Sequence, residues 1–569
     1  MKKIFTYFSK YKKEGVLAPQ LKLSEALLEL FIPILVADII DRGVGGGNRT
    51  VIITDVLIMV LLGALGLAFS ITGQYFSAKA AVGYSTELKG ALYKKILSLP
   101  LKESDKHGTS KLITVLTSDC IKVQSGVNLA LRLLLRSPFV VIGAFIAALI
   151  IDNKIAIIFG GAILILAIIV VIVMAVTMPK FSRAQKMLDG VALLARENLT
   201  GARVIRAFSV EEEEIEKYKK LTRSLEKFQN FTGRISSLLN PLTFCIVNIA
   251  IVLLLYFGGI KVEHGILTQG AVVALYDYMS QILVELIKFA NLVVSVSKAI
   301  ASGKRISQIL EIEDGQISVG EQREASPFIE LRNVSFAYDG GEVLTDINVT
   351  VEKGQTVGII GGTGSGKTTL VNLIAGLYRA KSGTVYLGGK DVNEYGDDEM
   401  RGLVSIALQK PVLFKGTVKS NVQLGKTDAT DDQILKALET AQAGDIIKNK
   451  ENGIYSAVEQ GGRNFSGGQK QRLSLARAIV ADSEILILDD SSSALDNMTD
   501  LRLRRALKKE GEDRTLIIIS QRTAPIKDAD KIIVLEDGQI VGVGTHGELR
   551  ESCEVYREID DSQKVEEGV

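Results

Sequence analysis

The stretch Gly361–Thr369, GGTGSGKTT, follows the apolar run TVGII (Thr356–Ile360) and precedes the apolar run LVNLIAGLY. A strand, a glycine-rich turn and a helix in that order form a phosphate-binding loop. The glycines let backbone N–H groups turn inward around an anion, and the helix N-terminus adds its dipole. On this reading Gly361, Gly362, Thr363, Gly364, Ser365, Gly366, Lys367, Thr368 and Thr369 cradle a nucleoside triphosphate. Lys367 reaches the β/γ oxygens and the Thr368 hydroxyl takes a position on Mg²⁺.

Working outward from the loop, the chain from Phe328 onward alternates strands and helices with Gly-rich turns, the pattern of an α/β domain. Two more stretches belong to it. NFSGGQKQR, Asn464–Arg472, opens a helix with a serine and two glycines, a second anion-binding helix start. ILILDDSSSALD, Ile485–Asp496, is a buried strand ending in two carboxylates. Asp489 ends that strand beside the phosphate loop and is expected to hold Mg²⁺ through water.

The first half of the chain is different. The whole has 569 residues, too many for one hydrophobic core. Its apolar residues, 47% overall, are concentrated in long runs before about Ser302. Six candidate membrane spans follow: roughly 17–42, 52–80, 134–151, 155–177, 239–260 and 271–295, each near the ~20 residues a bilayer needs. The connections Gly43–Val51, Ile151–Lys154 and Lys261–Gly270 are short. Those at roughly 81–133 and 178–238 are long, helical in period and basic, with Lys89, Lys94, Lys95, Lys102, Lys106 and Lys111 in the first and Lys180, Arg183, Lys186, Arg196, Arg203 and Arg206 in the second. The positive-inside rule places these two, and both termini, in the cytoplasm. The basic N-terminus, MKKIFTYFSKYKKEG, reads as an interfacial helix rather than a signal peptide.

Charged residues fall within two spans: Lys22, Glu25 and Glu29 on one face of the first, and Asp277, Glu285 and Lys288 in the last. Two readings stay open, an interhelical salt bridge or the wall of a translocation pathway. Phe69, Tyr75, Tyr256, Tyr276 and Tyr278 are candidate pathway aromatics. Net charge is +2, which gives no global case for a nucleic-acid partner. Cys120, Cys245 and Cys553 show no metal or redox spacing.

Together these motifs resemble the ATP-binding cassette family, and six spans before one cassette resemble an exporter-type half-transporter. The expected architecture is a polytopic α-helical membrane domain of six transmembrane helices with long cytoplasmic extensions (1–305), a linker (306–327) and an α/β P-loop cassette (328–569). The resemblance implies two cassettes paired head to tail, each ATP lying between the phosphate loop of one and the signature of the other. FSGGQ matches the signature, so Ser466, Gly467, Gly468 and Gln469 would address the ATP of a second half-transporter. Tyr338 matches the aromatic that stacks on adenine. Gln409 matches the glutamine that contacts Mg²⁺ and senses the membrane domain. SALD, Ser493–Asp496, matches the loop that crosses the dimer interface, with Asp496 as its last residue. Segments near 99–106 and 201–210 match the coupling helices that dock on the cassettes.

Two positions depart from the family. A glutamate acting as general base is usual after the Mg²⁺ aspartate, and here Asp490 stands there, one methylene shorter. A histidine is usual after the next strand, TLIIIS (Thr515–Ser520), and here Gln521 stands there. None of the chain's three histidines follows that strand. Gln460 also replaces a usual glutamate before the signature. The resemblance then implies the degenerate-site subunit of a heterodimeric bacterial exporter in the cell membrane, moving hydrophobic or amphipathic compounds such as drugs or lipids. Its partners would be a second half-transporter with an intact site, membrane lipid and a hydrophobic small molecule. The alternatives are export of a defined substrate such as a peptide, siderophore import on an exporter scaffold, a homodimeric pump, a non-transporting ATPase that acts on nucleic acid or mechanically, or a regulatory module without turnover.

Overall fold

The computed structural model describes residues 2–312, 327–338, 340–491, 495–510 and 513–566. The chain divides into two compact units, Met1–Ser98 with Thr109–Ile312, and Leu99–Gly108 with Glu313–Val569. Most of the expected 306–327 linker, residues 313–326, lies outside the described residues, and so do Ser492, Ser493 and Ala494.

The first unit is helical. Helix α1 (Lys12–Asp38) is followed by α2 (Arg49–Leu97), α3 (Arg136–Ile151), α4 (Asn153–Thr200), α5 (Leu239–Glu263) and α6 (Gln269–Leu310). Among the described residues, five helical stretches are long and apolar enough to cross a membrane: Arg49–Leu97, Thr109–Ile151, Asn153–Thr200, Glu211–Glu263 and Gln269–Leu310. That is one fewer than the six expected. The first expected span is helical as α1, but Lys22, Glu25 and Glu29 keep it below the apolarity of the other five. Short breaks fall where short connections were expected, around Gly47, at Asp152 and around Gly265. The long connections continue the spans as helix: α2 runs unbroken to Leu97 and α4 to Thr200. Glu25 and Glu29 of the first noted group and Glu285 and Lys288 of the second are joined through Arg136, as described below.

The second unit is layered. A six-stranded sheet has the order β10-β9-β3-β8-β7-β6, from β3 (Thr356–Gly361), β6 (Val404–Ala407), β7 (Ile485–Asp489), β8 (Thr515–Ile519), β9 (Lys531–Glu536) and β10 (Gln539–Gly544). All neighbours are parallel except β9 and β10. Every residue of β7 is buried, as a central parallel strand covered on both faces requires. A four-stranded antiparallel sheet joins β1 (Ile329–Tyr338), β2 (Gly341–Val351), β4 (Ser382–Leu387) and β5 (Lys390–Asp391) in the order β2-β1-β4-β5. The register pairs Ile359 with Ile519 and Ile519 with Asp489. The C-terminal ends of β3, β8 and β7 therefore lie side by side, where ligands bind in open α/β sheets.

Candidate nucleotide-binding site

The phosphate loop is built where β3 ends. Gly361 has φ +158°, and a Cβ there would lie 2.1 Å from the Leu535 carbonyl oxygen, so the strand can leave the sheet at that point only as glycine. Helix α7 (Lys367–Ile374) starts directly after Gly366. Lys367 Nζ donates to the carbonyl oxygens of Gly361 at 2.8 Å and Gly362 at 2.6 Å, and to Ser365 Oγ at 3.3 Å. The ammonium is thus folded back across its own loop, at hand for an anion seated there. Burial lowers its pKa, and the charges of Asp490 and Asp489 oppose that shift.

Asp489 ends β7 almost fully buried. Thr368 Oγ1 donates to its Oδ1 at 3.1 Å. A hydroxyl and a carboxylate converging at the mouth of the loop are hard oxygen donors of the kind Mg²⁺ takes, so the residues present fit that ion. Burial raises the Asp489 pKa, and the neighbouring Asp490 charge raises it further. The Thr368 hydrogen bond and Lys367 pull it down.

Asp490 turns the chain off the sheet. It is a non-glycine residue with φ +45°, the left-handed region that aspartate tolerates better than most. Its backbone N donates to Ile519 O at 3.2 Å. Its Oδ2 accepts from Gln409 Nε2 at 3.3 Å. Gln521 lies two residues beyond the end of β8, the strand whose last residue pairs with Asp489. Its carbonyl oxygen accepts from Gln563 Nε2 at 2.9 Å, and Gln563 Oε1 accepts from the Thr523 N–H at 2.8 Å. Gln563 belongs to the terminal helix α10 (Glu554–Glu566), which therefore fixes the backbone that carries Gln521. Nothing in the sequence marked Gln563.

Tyr338, at the end of β1, stands edge-on to Phe336 (centroids 4.8 Å apart) and to Tyr378 (5.6 Å). Tyr378 was not singled out in the sequence, yet it links two predicted features. Its ring packs against Tyr338, and its Oη donates to Asp105 Oδ2 at 2.5 Å. Asp105 lies in the helix Leu101–His107, which belongs to the same compact unit as the two sheets. The other expected coupling segment holds the helix Ala202–Ala207 and lies in the first unit, with Val204 and Phe208 exposed.

The signature residues are used differently from the phosphate loop. Ser466 caps helix α8 (Gly467–Val480): the Gln469 N–H donates to Ser466 Oγ at 3.3 Å, and Gln469 Oε1 accepts from the Ser466 N–H at 3.0 Å. That reciprocal pair is a capping box. An added Cβ at Gly467 would meet nothing within 4 Å, so this chain's own packing does not require a glycine there. Asp496 accepts from Thr499 N at 2.9 Å and Thr499 Oγ1 at 2.7 Å, capping α9 (Asn497–Glu510). Gln460 is exposed and opens a short helical turn, Gln460–Gly462. The structure thus brings the phosphate loop, Asp489, Asp490 and Gln409 together. Among the described residues, Ser466–Gln469 bond to each other rather than to that loop.

The family model for the ABC transporter transmembrane region matches residues 16–286, and the model for the ABC transporter matches 344–493. The chain is 31% identical to an uncharacterized ABC transporter ATP-binding protein of Mycobacterium tuberculosis (strain CDC 1551 / Oshkosh), over 98% of this chain and 97% of that one. It is 29% identical to an ATP-dependent lipid A-core flippase of Syntrophus aciditrophicus (strain SB), over 85% of this chain and 81% of the flippase. Its fold matches the structure of a bacterial Atm1-family ABC exporter with ATP bound, with a TM-score of 0.83, 21% identity and 98% of each chain covered.

Proposed function

The chain belongs to the ABC transporter family, and we propose that it is half of an ATP-driven exporter whose own ATP site binds firmly and hydrolyses slowly, productive turnover falling to a second half-transporter. The observation that carries this reading is Asp490, which stands where a general base would act and is held 3.3 Å from Gln409. A base must come within ~2.6–3.2 Å of the proton it takes. Relative to glutamate, the missing methylene shortens the reach by roughly 1–1.5 Å. A misplacement of about 1 Å can cost on the order of 100-fold in rate. At Gln521 an amide replaces an imidazole, so it can donate a hydrogen bond but cannot carry charge to a developing anion.

Binding does not share these losses. Lys367 lying across the loop and Thr368 beside Asp489 support triphosphate binding, and Tyr338, at the end of β1, would take the adenine. When bound, Mg²⁺ supplies a Lewis acid for the phosphate oxygens. The parts this chain would lend to a partner are complete: Ser466 and Gln469 form their capping box, and Gly467 faces open space. Intact donated parts beside an impaired own site favour a heterodimer over a homodimer, in which both sites would be weak.

Six membrane crossings, α1 being the first, with both termini and the cassette in the cytoplasm, fit the basic long connections. The segments 101–107 and 202–207 would be the coupling helices. Amphipathic or lipid-like cargo is supported by the similarity to a lipid A-core flippase. Export of a defined substrate such as a peptide is the second reading. Purified chain should bind ATP in the presence of Mg²⁺ yet hydrolyse it slowly. Hydrolysis at rates usual for transport ATPases would refute the proposal.

A further inference from the structure

Three helices of the first unit meet at one charge network. Arg136, at the start of α3, donates from Nη1 to Glu285 Oε1 of α6 at 2.5 Å and from Nη2 to Glu29 Oε2 of α1 at 2.6 Å. Glu285 also accepts from Ser137 Oγ at 2.7 Å and Lys288 Nζ at 2.8 Å. Glu25 Oε1 lies 3.9 Å from Arg136, and its Oε2 accepts from Lys22 at 2.6 Å. The three carboxylates, Glu25, Glu29 and Glu285, are balanced by Lys22, Arg136 and Lys288.

The network has a buried middle and two accessible ends. The Arg136 and Glu285 side chains are 7% and 4% exposed, whereas Glu29 and Lys288 are 42% and 43% exposed. One open end is therefore anionic and the other cationic, joined through the buried pair. Arg136 Nε has no partner among the described residues. All three helices contribute from the half of the expected span nearer the cytoplasm, under the topology proposed above.

The geometry points to a binding site for the headgroup of a zwitterionic amphiphile, its cation on Glu29 and its anion on Lys288. This rests on the exporter reading. Uncompensated charge in a low-dielectric site is strongly disfavoured, and the network has no spare charge to offer. A purely anionic headgroup would face Glu29 and Glu25 around a guanidinium already engaged by two carboxylates. A purely cationic one would face Lys288 and Arg136. A headgroup carrying both charges exchanges with both ends and leaves the site neutral.

The test uses full-length chain in detergent with three short-chain, two-tailed amphiphiles of equal chain length: a phosphatidylcholine, a phosphatidylglycerol and a dialkyldimethylammonium. Soluble glycerophosphocholine is the fourth probe. The phosphatidylcholine should bind at least about tenfold more tightly than each of the others, the scale of one desolvated charge pair. Glu29→Gln should shift the preference toward the anionic probe and Lys288→Gln toward the cationic one. Helical circular dichroism and a monodisperse elution profile on the same samples report that both variants are folded, and ATP binding reports that the second unit is intact. Equal affinity for all headgroups, or a ranking unmoved by both substitutions, overturns the site and leaves a helix clamp. Glycerophosphocholine binding as tightly as the lipid overturns the amphiphile. ATP-dependent movement of a lipid without any headgroup ranking defeats this assignment alone, and a ranking without ATP-dependent movement defeats the exporter reading alone.

Discussion

Gln409 Nε2 donates to Asp490 Oδ2 at 3.3 Å, so the residue that would sense the membrane domain holds the carboxylate that would act as base. Lengthening that carboxylate restores reach but leaves Gln521 in place. Asp490→Glu alone should therefore raise this chain's own hydrolysis by less than about tenfold. Together with Gln521→His the gain should exceed the product of the two single gains and approach ~100-fold, because groups acting on one transition state are not additive. Steady-state phosphate release by the four proteins checks this, and full recovery from Asp490→Glu alone would refute it.

Binding should fail by other routes. Lys367→Ala removes the ammonium that lies across the loop and should weaken ATP binding on the order of 100-fold, the scale of a charge-assisted contact to phosphate. Tyr338→Ala should cost about tenfold, the scale of one base stacked on an aromatic ring. Ser466→Ala should leave ATP binding by the isolated chain within about twofold, yet lower its stability by about 1 kcal/mol through the lost cap. Calorimetric titration with ATP and thermal unfolding separate these effects.

The buried Asp489 carboxyl carries a stability cost that pH exposes. Its folded pKa is raised chiefly by burial, so the folded state holds its proton to higher pH than the unfolded state does, and stability falls as pH rises through that interval. Asp489→Asn keeps an acceptor for Thr368 Oγ1 and removes the charge. Without nucleotide it should raise the unfolding midpoint at pH 8. The gain should shrink as pH falls through the raised pKa, where the wild-type group is neutral as well. A gain that grows toward acid would contradict this assignment.

Tyr378 joins the ring cluster at Tyr338 to Asp105. Tyr378→Phe keeps the edge-on packing and deletes one exposed hydrogen bond, a loss of about 1 kcal/mol. Amide hydrogen exchange across Leu101–His107 should accelerate, whereas ATP affinity should change by less than about threefold. Unchanged exchange would show that the bond does not anchor the segment.

The candidate nucleotide site could be read from the sequence because its residues are local. Gly361, Gly362, Gly364, Gly366, Lys367 and Thr368 fall within eight residues, and Asp489 ends an unbroken apolar strand, so each announces its own backbone. Five of the six expected spans were legible from apolar length; the first, 17–42, folds as helix α1, but its charges leave it outside those five. The partners of those charges were not legible, since Arg136 lies 107 residues from Glu29 and 149 from Glu285. A salt bridge between helices has no period to read. Tyr378 and Gln563 were missed for the same reason: each acts through a contact far along the chain, and neither residue type stands out where it occurs.

Single-turnover hydrolysis by the purified full-length chain, loaded with ATP and started with Mg²⁺, tests the central claim most directly. The account predicts that ATP stays bound and is cleaved at least about 100-fold more slowly than the ~10 s⁻¹ typical of enzymes. Cleavage at or near that typical rate, with Asp490 and Gln521 unaltered, would contradict it.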